Sequence, residues 1–96
     1  HNMITELKEK LDNGIVEFTY TKKNGEARNA RGTRCFGEKS IVGENFVKVK
    51  GTGAEKTGAL SYWDLDKEAW RSLTNDSLVS IDSYMSKEEL LGENLF

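Results

Sequence analysis

The sequence predicts a mainly β domain, a small closed or nearly closed barrel of about five short strands with a short helix at each end. Short alternating segments separated by turn-forming residues run through most of the chain, and helical spacing occurs only near its two ends. The length of 96 residues suffices for one hydrophobic core and is too short for two. Barrel closure also protects the edges of strands this short.

The first element is an amphipathic helix in the segment MITELKEKLDNG. Its apolar residues Ile4, Leu7 and Leu11 follow the spacing of one helix face, whereas the lysines and acids lie elsewhere. Asn13 and Gly14 predict its end, since both residue types tolerate the left-handed conformation. A helix of about two turns is marginal alone, so we expect its apolar stripe to pack on the sheet.

A hairpin follows the helix. In IVEFTYT the residues alternate, which predicts a half-buried strand with Val16, Phe18 and Tyr20 on one face. The pair Asn24-Gly25 is the one favoured in a type I′ turn. The returning strand, EARNARGTR, is unusually polar: residues 28, 30, 32 and 34 share one face, and Gly32 predicts a bulge or a strong bend.

The connection to the second hairpin and the end of the chain carry weaker signals. We predict a third strand around residues 46–49, followed by the flexible glycine-rich loop GTGAEKTG. The segment SLVSIDSY forms the last strand, and SKEELLG forms a short helix. In that helix Ser86 and Glu89 form a capping box, and Gly92 occupies the position of a C-terminal cap.

The second hairpin, ALSYWDL and AWRSLT, turns at residues 66–67. Alternation places Tyr62 and Asp64 on one face and Trp63 on the other. We expect one of the two tryptophans in the barrel core, because a buried indole removes a large apolar area from water. The acidic turn is expected to be solvated, and Arg71 is the residue that core packing does not explain.

These elements together predict a barrel of the SH3 or Sm kind. We assign residues 3–92 to a single domain, residues 1–2 to an expression remnant, and residues 93–96 to a tail. Charge is unevenly distributed: residues 22–50 carry eight lysines and arginines against three acids, whereas residues 61–96 carry three against eight. The first part could therefore attract an anion, although both sets also suit ordinary solvated faces.

Composition argues against several classes of protein. With Cys35 as the single cysteine and His1 as the single histidine, a disulfide within the chain is impossible and a four-ligand zinc site is not expected. General acid–base chemistry by histidine has no candidate, so we expect no enzyme and no cofactor. No apolar segment is long enough to span a membrane, and the expected location is cytoplasmic.

Two motif-like segments fail on spacing. In GTGAEKTG the glycines match a phosphate-binding P-loop, but the lysine and threonine lie inside the loop instead of after the second glycine. In DLDKE the acids alternate like the start of a calcium loop, but Ala69 and Asn75 occupy the positions of the required glycine and glutamate. Neither a nucleotide P-loop nor a calcium site is predicted.

The polar strand and its turn supply a candidate binding surface. Basic residues there could pair with phosphates while nearby rings stack on bases, as in RNA and single-strand binding proteins. The alternative is a solvated sheet face whose aromatics belong to the core. The candidate residues on this surface are Lys22, Lys23, Arg28, Arg31 and Arg34.

The pattern of an N-terminal helix, VEFTYTKKNGEARNARGTR and SYWDLDKEAWRSLTNDSLVSI resembles the small WYL-related proteins with an SH3/Sm-like barrel, found in bacteriophages and Bacteroides-type bacteria. The resemblance covers residues 4–82 and is most specific over residues 62–72. It implies the barrel fold. From larger WYL-domain regulators it implies a ligand surface with Arg71 first, Tyr62 and Trp63 beside it, and Arg28 and Arg31 second. The segment YWDL matches the family triplet only in part.

Three hypotheses for function follow. The first is a phage-encoded, non-catalytic binding module that engages nucleic acid, with RNA favoured, or a host protein, for instance as a counter-defence inhibitor of a host toxin nuclease. The second is a sensor or sponge for a nucleotide-like small anion, held by Arg71 and the glycine loop. The third is a structural domain that forms an oligomer by strand pairing.

Overall fold

The computed structural model describes residues 3–34 and 58–91, which form one antiparallel sheet flanked by two helices. The strand order is β4-β3-β2-β1-β5. The mainly β prediction with a helix at each end is therefore confirmed. The elements are α1 Met3–Asn13, β1 Gly14–Thr21, β2 Ala27–Thr33, β3 Ala59–Asp64, β4 Ala69–Thr74, β5 Leu78–Ser86 and α2 Lys87–Leu91.

Helix α1 packs on the sheet through the apolar stripe expected from its spacing, since Ile4, Leu7 and Leu11 are buried. It ends at Asn13, as predicted, and the Asn13 side chain donates a hydrogen bond of 2.7 Å to the Glu9 carbonyl. That contact ties the last side chain of the helix back to its final turn.

Strand β1 alternates as predicted, with Val16, Phe18 and Tyr20 buried. The turn after it differs from the type I′ expectation, because Asn24 does not have the positive φ that this turn requires. The Gly25 N–H donates to the Lys22 carbonyl at 2.9 Å, and Gly25 alone in this turn has a positive φ, 89°. The Lys22 N–H donates to the Glu26 carbonyl at 2.7 Å, which closes a three-residue loop, residues 23–25, with glycine at its left-handed position.

The core lies between the inner face of the sheet and α1. At its centre the rings of Phe18 and Tyr62 meet edge to face, with centroids 5.1 Å apart. Such edge-to-face geometry is favourable beyond the area that the rings bury. The cluster comprises Ile4, Leu7, Leu11, Val16, Phe18, Tyr20, Ala30, Leu60, Tyr62, Leu73 and Leu78.

Two expectations about this sheet need correction. The core aromatic of β3 is Tyr62, whereas Trp63 is buried on the opposite face, against the cross-strand Trp70 at 5.8 Å. Gly32 keeps a regular register with β1 and marks no bulge. A Cβ there would approach the Tyr62 ring to 2.5 Å and the Trp63 carbonyl oxygen to 2.8 Å, so glycine is needed for close packing of β2 on β3.

The irregularities lie instead in β5, where the register with β1 shifts at Val79 and at Asp82. After β5, the Ser86 hydroxyl accepts the Glu89 N–H at 3.3 Å, so the predicted capping interaction is present. The strand predicted around residues 46–49 and the glycine-rich loop through residue 57 lie outside the described residues. No helix among the described residues is long and apolar enough to cross a membrane.

Candidate nucleic-acid interface

The structure divides the eight candidate residues into two groups. One group lies largely inside the molecule, in contact with carboxylates, carbonyls or rings of the chain, and comprises Arg28, Arg34, Tyr62 and Trp63. The other projects from exposed positions and comprises Lys22, Lys23, Arg31 and Arg71. The sequence pattern did not separate exposed candidates from enclosed ones, so this division is a finding of the tertiary structure.

Arg28 faces inward from β2, opposite Tyr20 in the register. Its guanidinium donates a hydrogen bond to the carboxylate of Asp64, and the Arg28 side chain is 18% exposed while that of Asp64 is fully buried. The other Asp64 oxygen accepts the N–H groups of Asp66 and Lys67, at 2.9 and 3.0 Å. Arg28 thereby holds the β3–β4 turn through Asp64.

The electrostatics of this pair favour a charged guanidinium. Partial burial acts to lower the pKa of Arg28, but the neighbouring Tyr62, and then the hydrogen bond and charge of Asp64, outweigh it and raise the pKa. A buried charge of this kind needs its partner, because an unpaired one is costly. The position of Arg28 is therefore explained by the fold, and its charge is already neutralised.

Tyr62 has no exposed surface, and its hydroxyl lies 3.2 Å from the Tyr20 hydroxyl. Burial and the hydrogen bond with Tyr20 raise the pKa of Tyr62 far above its usual value. A ring in this position cannot stack on a base, so we leave Tyr62 out of the candidate interface. Trp63 is likewise nearly enclosed, with 8% of its surface exposed.

Arg34 connects three elements. Its Nε donates to Asp12 of α1 at 3.0 Å, one terminal nitrogen donates to the Ser61 carbonyl at 2.6 Å, and its backbone N–H donates to the Leu11 carbonyl at 2.7 Å. The side chain is 11% exposed. These contacts give Arg34 a structural role at the junction of α1, β2 and β3.

Sequence reasoning missed the acids that hold these two arginines, although part of the signal was present. Alternation puts Asp64 on the same face as Tyr62, so a carboxylate lies on the inner face and requires a donor. The same rule places Arg28 on the face of β2 that carries the buried Ala30. Asp12 carried no comparable signal, because its partner Arg34 lies 22 residues away and meets it only through helix packing.

The exposed cations are less constrained. Arg31 lies 3.5 Å from Asp66, but both side chains are more than half exposed. Lys22 lies 3.7 Å from Glu26 in a similarly exposed pair, and exposed pairs of this kind contribute little. Lys23 and Arg71 have no acidic partner within 4 Å among residues 3–34 and 58–91. These four side chains remain available to an external anion.

A cleft of about 190 Å³ lies beside the lysines, at the end of the sheet. Strands β1 and β4 contribute most of its wall, and Leu73 forms part of its apolar floor. Sequence reasoning missed Ser72, Thr74 and Ser77, which lie in or just after β4 and reach the lysines only through the fold. It is lined by Tyr20, Thr21, Lys22, Lys23, Ala59, Ser72, Leu73, Thr74 and Ser77.

The outer face of the sheet carries a separate polar network centred on Asp82. The register shift in β5 places its carboxylate where it accepts hydrogen bonds from Thr19 at 2.7 Å, Ser80 at 2.7 Å and Asn29 at 3.1 Å. The hydrogen bonds from Thr19, Ser80 and Asn29 hold the pKa of Asp82 below its usual value. The network connects β2, β1 and β5 across the exposed face.

No group of three or more histidine, cysteine, aspartate or glutamate side chains within the described part of the chain is arranged to hold a metal ion. Cys35 lies outside the described residues. The exposed candidate residues carry ammonium and guanidinium groups, which are suited to binding anions.

Comparison with known proteins identifies the family of the chain. Residues 4–79 match the family WYL_2, described as an Sm-like SH3 beta-barrel fold. The chain is also 29% identical over 85 residues to an uncharacterized 11.5 kDa protein in the Gp31-cd intergenic region of Enterobacteria phage T4, covering 88% of this chain and 81% of the phage protein. No solved structure matches significantly. The predicted resemblance and barrel fold are thereby confirmed.

Proposed function

We propose that this chain, which belongs to the WYL_2 family of Sm-like SH3 β-barrels, is a non-catalytic module that binds single-stranded nucleic acid, with RNA favoured. Binding uses the exposed cations Lys22, Lys23, Arg31 and Arg71. Phosphate contacts of lysine and arginine supply most of the affinity in such interactions and make it depend on salt.

The observation that carries the proposal is the exposed position of Arg71 beside the cleft. Arg71 lies across from Tyr62 in the β3–β4 ladder, and Leu73 of the cleft floor is two residues further along β4, on the same face. Two residues of strand span about 7 Å. Arg71 and the two cleft lysines therefore border one surface, along which a negatively charged strand can lie.

The buried arginines support this choice of residues by contrast. Arg28 and Arg34 already meet carboxylates and a carbonyl inside the fold, whereas Arg71 has no acidic partner in the described ranges. A cation with an internal partner contributes less to an external anion, since binding the anion would mean leaving that partner. We therefore assign strand binding to the exposed group alone.

The biological setting is a further part of the proposal. Similarity to a phage T4 protein favours a phage setting, and we propose that the module acts in the cytosol of the host. There it would engage host RNA or an RNA-bound host protein, for instance as a counter-defence inhibitor of a toxin nuclease. Affinity capture from host lysate with and without RNase tests this. Capture that survives RNase would point to direct protein recognition instead.

The direct test is fluorescence anisotropy with a labelled single-stranded RNA over a range of salt. For single strands the slope of log K against log salt is about −0.7 for each phosphate neutralised. Arg71→Ala should weaken binding and make this slope shallower by about 0.7. The matched control is Lys67→Ala, an exposed lysine in the β3–β4 turn that does not line the cleft. Equal losses in both variants, or no binding in low salt, would overturn the proposal.

A further inference from the structure

The cleft beside Lys22 and Lys23 has an unusual lining for an acidic chain. The protein carries 16 acids against 14 lysines and arginines, yet the described residues that line the cleft include two lysines and no acid. Glu26 is the nearest acid to Lys22, at 3.7 Å in an exposed pair outside the lining. The cleft therefore presents positive charge to whatever enters it.

Neutral donors complete the lining. The Tyr20 hydroxyl is occupied by Tyr62, and the Ser77 hydroxyl donates to the Thr74 carbonyl at 2.8 Å. The side-chain hydroxyls of Thr21, Ser72 and Thr74 form no hydrogen bond within residues 3–34 and 58–91. Each can donate to a ligand that offers only acceptors, as the lysine ammonium groups also must.

The volume of the cleft limits the size of the group that can bind in it. Pockets that enclose drug-sized molecules run from about 300 to 1,000 Å³, whereas this cleft is about 190 Å³. It suits one phosphate group with part of an adjoining sugar instead of a whole dinucleotide. Leu73, 4% exposed, and Ala59 provide a short apolar floor for that part.

We propose that this cleft is a phosphate subsite, in which Lys22 and Lys23 neutralise one phosphate group and the hydroxyls of Thr21, Ser72 and Thr74 donate to its oxygens. The inference rests on the proposed binding of single-stranded nucleic acid. It assigns one phosphate of the bound strand to the cleft, and the rest of the strand continues past Arg71. A phosphate ester of a free nucleotide has the same chemistry and would occupy the same position.

The test is a titration of ¹⁵N-labelled protein followed by amide chemical shifts, first with inorganic phosphate and then with a nucleoside monophosphate. We expect saturable shifts at the amides of residues 21–23 and 72–74. Lys22→Ala with Lys23→Ala should abolish the saturable shifts. Thr74→Val removes one donor and should weaken binding about two- to tenfold, the range for one hydrogen bond. Lys67→Ala is the charge-matched control and should bind like the unaltered protein.

A second arm uses the labelled RNA and separates this inference from the proposed function. If RNA binds equally well to the unaltered protein and to the double lysine variant, and phosphate shifts nothing in the cleft, the subsite is overturned while the role of Arg71 stands. If phosphate or the monophosphate shifts the cleft but RNA does not bind, the proposed function fails and the subsite stands for a free phosphate ester. Shifts spread evenly over all exposed cations, including Lys67, would overturn the subsite.

Discussion

The guanidinium of Arg28 donates a hydrogen bond to the fully buried carboxylate of Asp64, across 36 residues of sequence. The same carboxylate accepts two backbone N–H groups of the β3–β4 turn. The carboxylate of Asp64 therefore neutralises the charge of Arg28. It also fixes the β3–β4 turn, after which β4 carries Arg71. The relationship connects the stability of the barrel to the geometry of the proposed interface.

Replacing Asp64 by asparagine should lower the free energy of unfolding by about 3 kcal/mol, because the amide can still accept the turn N–H groups but leaves Arg28 without a countercharge. Urea unfolding measures the change. Asp66→Asn is the control in the same turn; its pair with Arg31 is exposed, and its effect should stay within about 0.5 kcal/mol. Equal effects of the two substitutions would contradict the structural role of Asp64.

Arg31 in β2 and Arg34 just after it should contribute differently to the free energy of unfolding. Arg34→Ala removes contacts to Asp12 and to the Ser61 carbonyl and should cost about 2 kcal/mol, since hydrogen bonds to charged groups are worth about 1.5–3 kcal/mol. Arg31→Ala should cost at most about 0.5 kcal/mol, and it should weaken RNA binding in low salt. Thermal unfolding and anisotropy, run on both variants, check this; a destabilised Arg31 variant would count against it.

Gly32→Ala should destabilise the protein by about 1–3 kcal/mol through overpacking against Tyr62. Tyr62→Leu in the same chain should relieve part of that cost, so the two substitutions should be coupled in a double-mutant cycle. Gly25→Ala is the comparison, because its Cβ meets nothing within 4 Å and its cost comes from a positive φ alone. Independence of Gly32 and Tyr62 in the cycle would contradict the close approach.

The Asp82 network predicts a dependence of stability on acid pH. Hydrogen bonds from Thr19, Ser80 and Asn29 lower the pKa of Asp82 in the folded state, so its contribution is present above the unfolded value of about 3.9 and is lost as pH falls through the lower folded value. The thermal unfolding midpoint, measured from pH 5 to pH 2, should fall less steeply in the Asp82→Asn variant than in the unaltered protein. Asp76→Asn, at an exposed turn position, is the control, and it should keep the steepness of the unaltered protein.

The elements that the sequence predicted well are those governed by short-range rules. Alternation in β1 identified Val16, Phe18 and Tyr20 as core residues, because a strand turns successive side chains to opposite faces. The end of α1 at Asn13 and the capping serine at position 86 depend on a few neighbouring residues. The same local information identified the basic character of the first hairpin.

The sequence by itself thus determined the barrel class, the amphipathic faces and the list of cations from which an interface could be built. Only the tertiary structure decided which cations are free. Arg28 and Arg34 meet Asp64 and Asp12 because strand register and helix packing bring distant segments together, and no local pattern encodes that register. The cleft has the same origin, since its lysines follow β1 whereas Ser72, Thr74 and Ser77 lie in or just after β4, and the two segments meet only when β1 and β4 occupy one sheet.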